Sequence, residues 1–85
     1  MHIEATETFI KLYKKLPEDL KDKTKKTIEL LRSSPSHPSL GHKKMSGQKD
    51  IFEIRVTRNY RITYQKIGDT AYLRKVGTHD LLRDP

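Results

Sequence analysis

The 85-residue chain contains no cysteine and no tryptophan. Without thiols it forms neither a disulfide nor a thiolate metal site, and nothing in it calls for an oxidising compartment. The four histidines show no pair at helical or hairpin ligand spacing, so no zinc site and no cofactor is expected. No apolar run approaches the roughly 18 residues of a membrane span, and Met1-His-Ile-Glu-Ala5 lacks the basic and apolar regions of a signal peptide. The expectation is a complete cytoplasmic chain without membrane association. Acidic residues are also scarce, eleven against eighteen Lys and Arg, for a net charge of +7.

A chain of this length is one domain, residues 1–85, and buries only about 60 to 65% of its unfolded surface. The basic excess is uneven. Residues 1–40 carry 8 basic and 6 acidic side chains, residues 41–85 carry 10 and 5. Positive charge at that density attracts polyanions, which points to RNA, DNA, ribosomes or an acidic protein.

The hydrophobic period changes along the chain. Residues 1–5 suit a short strand with Ile3 inward. Thr6 is placed to cap a helix in which Phe9, Leu12, Tyr13 and Leu16 recur at i, i+3, i+4 and i+7. Pro17 interrupts it and, with Glu18 and Asp19, suits the start of a second helix. Leu20, Thr24, Thr27, Ile28 and Leu31 form that helix's buried stripe, and Ser33-Ser-Pro35 ends it. Residues 35–50 are rich in turn formers and read as a surface connection anchored by Leu40 and Met45.

From Ile51 the period is two. Phe52–Thr57, Tyr60–Gln65 and Ala71–Val76 read as a meander with turns at Arg58-Asn59 and Gly68-Asp69. Phe52, Ile54, Val56, Ile62 and Tyr64 take the core parity, while Arg55 and Arg61 take the other. The third strand has two orientations: Ala71 and Leu73 inward with Lys75 outward, or Tyr72 and Val76 inward. Either brings Arg74 or Lys75 to the basic face. The order β-α-α-β-β-β predicts an α+β fold, two N-terminal helices on one face of a small twisted antiparallel sheet whose other face is open.

These segments together resemble the RelE/ParE superfamily of bacterial toxin–antitoxin toxins over essentially the whole chain. The resemblance rests on His42-Lys-Lys-Met-Ser-Gly47, Phe52-Glu-Ile-Arg-Val56, Asn59-Tyr-Arg-Ile-Thr-Tyr64 and the ending Val76-Gly-Thr-His79. That ending is similar to the YafQ-like branch. The resemblance implies an mRNA endonuclease (mRNA interferase, a hydrolase that inhibits translation) acting in the ribosomal A site. It also implies silencing by a cognate antitoxin through which the complex binds operator DNA.

Metal-independent RNA cleavage needs an acceptor for the 2′-hydroxyl proton, cations for the developing charge, and an acid for the departing 5′-oxygen. Arg55 and Arg61 offer planar, permanently charged donors for phosphate oxygens. His79, just past a glycine and a threonine at the end of the sheet, is the candidate acid, since imidazole titrates near 6.5; in the family this position holds a catalytic histidine or arginine. The acceptor is open between His42, where the YafQ-like branch also carries a functional histidine, and Glu53, which shares strand parity with Arg55. Lys43, Lys44, Lys49, Arg58, Arg74, Lys75 and Arg83 are the candidate RNA-backbone contacts. Tyr60, Tyr64 and Phe52 are assigned to packing, and Asn59 to the turn.

The chain departs from the RelE-like pattern twice: Glu53 stands where many relatives have lysine, and the tyrosine often found after the Val-Gly segment is absent. Two other functions fit the same fold, DNA gyrase inhibition as in the ParE branch and a non-catalytic basic binding module.

Overall fold

The computed structural model describes residues 1–85. Strand β1 (His2–Ala5) leads into helices α1 (Glu7–Lys14) and α2 (Glu18–Ser33). A 3-10 turn (Pro38–Leu40) and a two-residue strand β2 (Lys43–Lys44) follow, then β3 (Ile51–Arg55), β4 (Tyr60–Ile67) and β5 (Thr70–Thr78). A terminal 3-10 segment spans His79–Arg83. No helix is long and apolar enough to cross a membrane.

Local chemistry sets the helix ends. The Thr6 hydroxyl accepts from the Phe9 N–H and donates to the Leu73 carbonyl at 2.7 Å, so one side chain both caps α1 and ties it to β5. Pro17 stands at the N-cap of α2, with Glu18 and Asp19 in the first turn against the helix dipole. The predicted stripes face the sheet: Phe9, Thr24, Thr27 and Leu31 are buried, and Leu12, Leu20 and Ile28 are partly so.

The sheet has the order β1-β5-β4-β3-β2. Its three long strands form the expected antiparallel meander, and the β4–β5 turn is made at Gly68, whose φ of 59° favours glycine. Two features lie outside the predicted pattern. The first strand pairs in parallel with β5, and Lys43-Lys44 adds an edge to β3 within what reads in sequence as a loop.

The first predicted orientation of β5 holds, with Ala71 and Leu73 inward and Lys75 outward; of the second only Val76 is inward, beyond a β-bulge, and Tyr72 is exposed. Thr63 pairs with Lys75 and Tyr64 with Leu73, so Arg74 has no partner on β4. The extra residue shifts the pleat, and Ala71, Leu73 and Val76 all enter the core with Leu31, Leu40, Ile54, Ile62 and Tyr64. Each of the large apolar side chains there contributes about 1.5 to 3 kcal/mol by burial. The opposite face, expected to be open, is partly covered. The segment after β5 folds back over it, so that a Cβ on Gly77 would lie 3.2 Å from Leu81 Cδ2, and Pro85 is buried.

Candidate active site

The face away from the helices is organised in rows across the strands. Arg55, Arg61 and Gly77 are register partners in one row; Lys43, Glu53, Thr63 and Lys75 form the next, and Ile51, Gln65 and Tyr72 the one beyond. Like charges directly opposite on neighbouring strands destabilise a sheet. The Arg55–Arg61 pair therefore has a local cost that an anion would remove.

Arg61 is held by the β3–β4 turn. The Thr57 hydroxyl accepts from the N–H groups of Asn59 and Tyr60 at 3.3 and 3.2 Å, which shapes the turn. The turn then offers the carbonyls of Thr57, Arg58 and Tyr60 to Arg61 Nη1 at 2.7, 3.0 and 3.1 Å. Nε and Nη2 of Arg61 make no intramolecular hydrogen bond and remain available for an oxyanion. Arg55 is exposed and lies against Gly41, whose left-handed backbone (φ 54°) carries the connection past the guanidinium.

His79 is exposed at the start of the terminal segment and lines a cleft of about 560 Å3 with Asn59, Tyr60, Thr78 and Asp80. The same turn that holds Arg61 thus forms one wall of the cleft, and His79 forms the other. Asn59 and Tyr60 were assigned from sequence to the turn and to packing. Both line the cleft, and Tyr60 is only partly buried. Asp80 was not singled out from sequence; its position directly after His79 was the available signal.

His42 does not join this cleft. It sits on the helix-bearing side of the sheet, where its Nε2 is hydrogen-bonded to the Tyr64 hydroxyl. The ring packs edge-on to Phe52 and Tyr64 at 6.0 and 5.7 Å between centroids. Desolvation by burial lowers the His42 pKa, with Lys66 adding to the shift and a backbone hydrogen bond with Pro35 opposing it. Burial pushes the Tyr64 phenol up to about 12. The phenol is accordingly the donor and neutral imidazole the acceptor.

Glu53 is 7% exposed, between Lys43 and Thr63 in the register. It forms no ion pair, and its Oε2 has no hydrogen-bond partner. It does not line the His79 cleft. Arg74 and Lys75 bind the terminal segment: Arg74 Nε donates to the Pro85 carbonyl at 3.0 Å, and Lys75 Nζ donates to the carbonyl and carboxylate of Asp84 at 2.6 and 3.1 Å. Lys43, Lys44, Lys49, Arg58 and Arg83 are exposed, with Lys43 and Lys44 directed to opposite faces of the edge strand.

A helical hairpin packed on one face of a five-stranded, mostly antiparallel sheet is the fold of the RelE/ParE toxins. The family model described as the ParE-like toxin domain matches residues 18–80, and the chain belongs to this family of toxin–antitoxin toxins. Among solved structures, the RelB–RelE antitoxin–toxin complex from Methanococcus jannaschii contains a chain 30% identical, covering 95% of each chain, with a TM-score of 0.78. YafQ from E. coli strain BL21(DE3) is 21% identical over 94% of each chain, with a TM-score of 0.76. The E. coli DinJ–YafQ toxin–antitoxin complex gives 21% identity over 94% of this chain and 93% of the other, with a TM-score of 0.78. The two YafQ matches show likeness of fold. No curated protein matches the chain.

Proposed function

We propose that the chain is a ribosome-dependent mRNA endonuclease that cleaves by side-chain acid–base chemistry. The observation that carries this reading is the placement of His79 across one cleft from the turn that orients Arg61, with Arg61 itself directly opposite Arg55. In this mechanism the two guanidiniums stabilise the charge that develops on the non-bridging phosphate oxygens. His79 protonates the departing 5′-oxygen, and Asp80, the carboxylate in the same cleft, accepts the 2′-hydroxyl proton. Tyr60 offers a ring edge for the substrate base. The exposed lysines and arginines of the sheet half steer the RNA through its phosphates.

The RelE and YafQ complexes with antitoxins support a cognate antitoxin for this chain. An acidic segment that covers Arg55 and Arg61 would silence the site. The toxin–antitoxin complex would then reach operator DNA through the antitoxin, and a ribosomal target makes the protein cytoplasmic.

The test is mRNA cleavage by the purified chain on translating ribosomes, mapped by primer extension. His79→Ala or Arg61→Ala lowers the rate by at least about 100-fold, and Asp80→Asn lowers it while leaving ribosome binding intact. Unchanged cleavage in both the His79 and Arg61 variants removes those residues from the mechanism. Intact mRNA together with inhibited DNA gyrase selects ParE-type action instead.

A further inference from the structure

The terminal segment occupies the row of the basic face next to Arg55 and Arg61, and what it offers there is oxygen. The Pro85 carbonyl accepts from Thr63 Oγ1 at 3.1 Å and from Arg74 Nε at 3.0 Å, while Lys75 Nζ takes the carbonyl and one carboxylate oxygen of Asp84. Three acceptor oxygens, among them a carboxylate oxygen of Asp84, thus converge on a hydroxyl, a guanidinium and an ammonium. Thr63 is fully buried, so its hydroxyl is pre-positioned, and the β-bulge is what turns Arg74 and Lys75 together onto this face. Without the bulge, adjacent residues of one strand would point to opposite faces.

This donor set suits the oxygens of a phosphodiester as well as those of Asp84 and Pro85. Beside it, one row along β5 and β4, lies Tyr72, 37% exposed and paired with Glu4 on one side and Gln65 on the other. Two residues of strand separate Gln65 from Thr63, a span of about 6.6 Å, which is within reach of a single nucleotide. An exposed aromatic on a sheet is a stacking platform for an unpaired base.

We propose that Thr63, Arg74 and Lys75 form a phosphate cradle, and Tyr72 a base platform, for one nucleotide of a single RNA strand. In the free protein Asp84 and Pro85 occupy the cradle in place of the phosphate. The subsite rests on the reading of the chain as an RNA-cleaving toxin and shares the sheet face of Arg55 and Arg61. From Thr63 to Tyr60 is three residues, about 10 Å of strand, so the subsite binds a nucleotide close to, and distinct from, the one cleaved at His79. Because the same groups hold Asp84, RNA entry and release of the terminal segment are a single exchange.

Binding of a fluorescently labelled single-stranded RNA oligonucleotide, followed by anisotropy, tests this in the full chain carrying His79→Ala so that cleavage plays no part. Adding Asp84→Ala removes the ion pair that anchors the intramolecular competitor and tightens binding about two- to fivefold, the range set by such an ion pair. Arg74→Ala with Lys75→Ala weakens binding and flattens its log–log salt slope by about 0.7, because the two cations together neutralise one phosphate. Tyr72→Ala weakens binding at least about fivefold with the salt slope unchanged, as a lost stacking contact does. In the Lys75→Ala background the gain from Asp84→Ala disappears, since the two residues act as one pair.

Equal affinity in the Asp84, Arg74/Lys75 and Tyr72 variants overturns the subsite, whatever the wild-type chain does to mRNA. Conversely, a chain that shows these binding changes but leaves ribosomal mRNA intact keeps the subsite and loses the nuclease reading.

Discussion

The Tyr64→Phe substitution isolates the bond that places His42. Tyr64 is 2% exposed, and its ring is stacked on Phe52 with centroids 5.4 Å apart and planes at 18°. Phenylalanine preserves that ring, so no cavity is made and the core contacts of β4 persist. What is removed is the hydroxyl that donates to His42 Nε2. A neutral hydrogen bond contributes about 0.5 to 1.5 kcal/mol net, whereas stranding a buried partner costs about 1 to 3 kcal/mol. Because His42 is only partly desolvated and keeps contact with solvent, water replaces the lost donor and the smaller range applies.

The expected loss at pH 7.5 is therefore about 1 kcal/mol, seen as a fall of about 4 to 8 °C in the midpoint of thermal unfolding for a domain of this size. Urea denaturation followed by circular dichroism gives the free energy directly, and an unchanged m-value shows that the two states are the same in both proteins. No loss, or a loss above about 3 kcal/mol, refutes the view of His42 as a solvent-backed latch on the sheet. Ribosomal cleavage by Tyr64→Phe should match the wild type, because the pair lies on the helix-bearing side. A large loss of activity with normal stability would return His42 to the catalytic machinery.

The pH dependence of stability follows from the same residue. Since the folded pKa of His42 is depressed by burial, the unfolded chain binds more protons as the pH falls. Its contribution is fully present above the unfolded value near 6.5 and is lost as the pH falls through the depressed folded value. Thermal midpoints measured between pH 7.5 and 5 should drop more for the wild type than for His42→Asn, and parallel curves would contradict this. Thr6→Ala removes both the α1 cap and the bond to the Leu73 carbonyl, so it should cost about 1 to 2 kcal/mol in urea denaturation; a loss below about 0.5 kcal/mol would mean that solvent replaces both bonds.

The elements were legible because each has a strong local cause. The 3.6-residue stripes of Phe9–Leu16 and Leu20–Leu31, the cap at Thr6 and the break at Pro17 lie within a few residues of what they control. Alternation in Phe52–Val56 and Tyr60–Tyr64 fixed which side carries Arg55 and Arg61, because a strand has only two faces. Residues 35–50 have no such period, and so the side on which His42 falls was not readable. It is decided by the Lys43–Glu53 and Lys44–Phe52 pairings and by the hydroxyl of Tyr64, a residue distant in sequence.

The sequence by itself determined a basic, thiol-free α+β domain with arginines on one side of a meander and a histidine at its end, because helix and strand periodicities are local and charge is additive. Tertiary structure decided which groups work together. The parallel docking of β1, the bulge that brings Arg74 and Lys75 to one face, the cleft that joins His79 to Asn59 and Asp80, and the return of Asp84 and Pro85 onto the sheet all depend on contacts between segments. A one-residue change of register reverses the face of every side chain that follows. That is why the arginines of β3 and β4 could be placed from the sequence, while Arg74, Lys75 and the end of the chain could not.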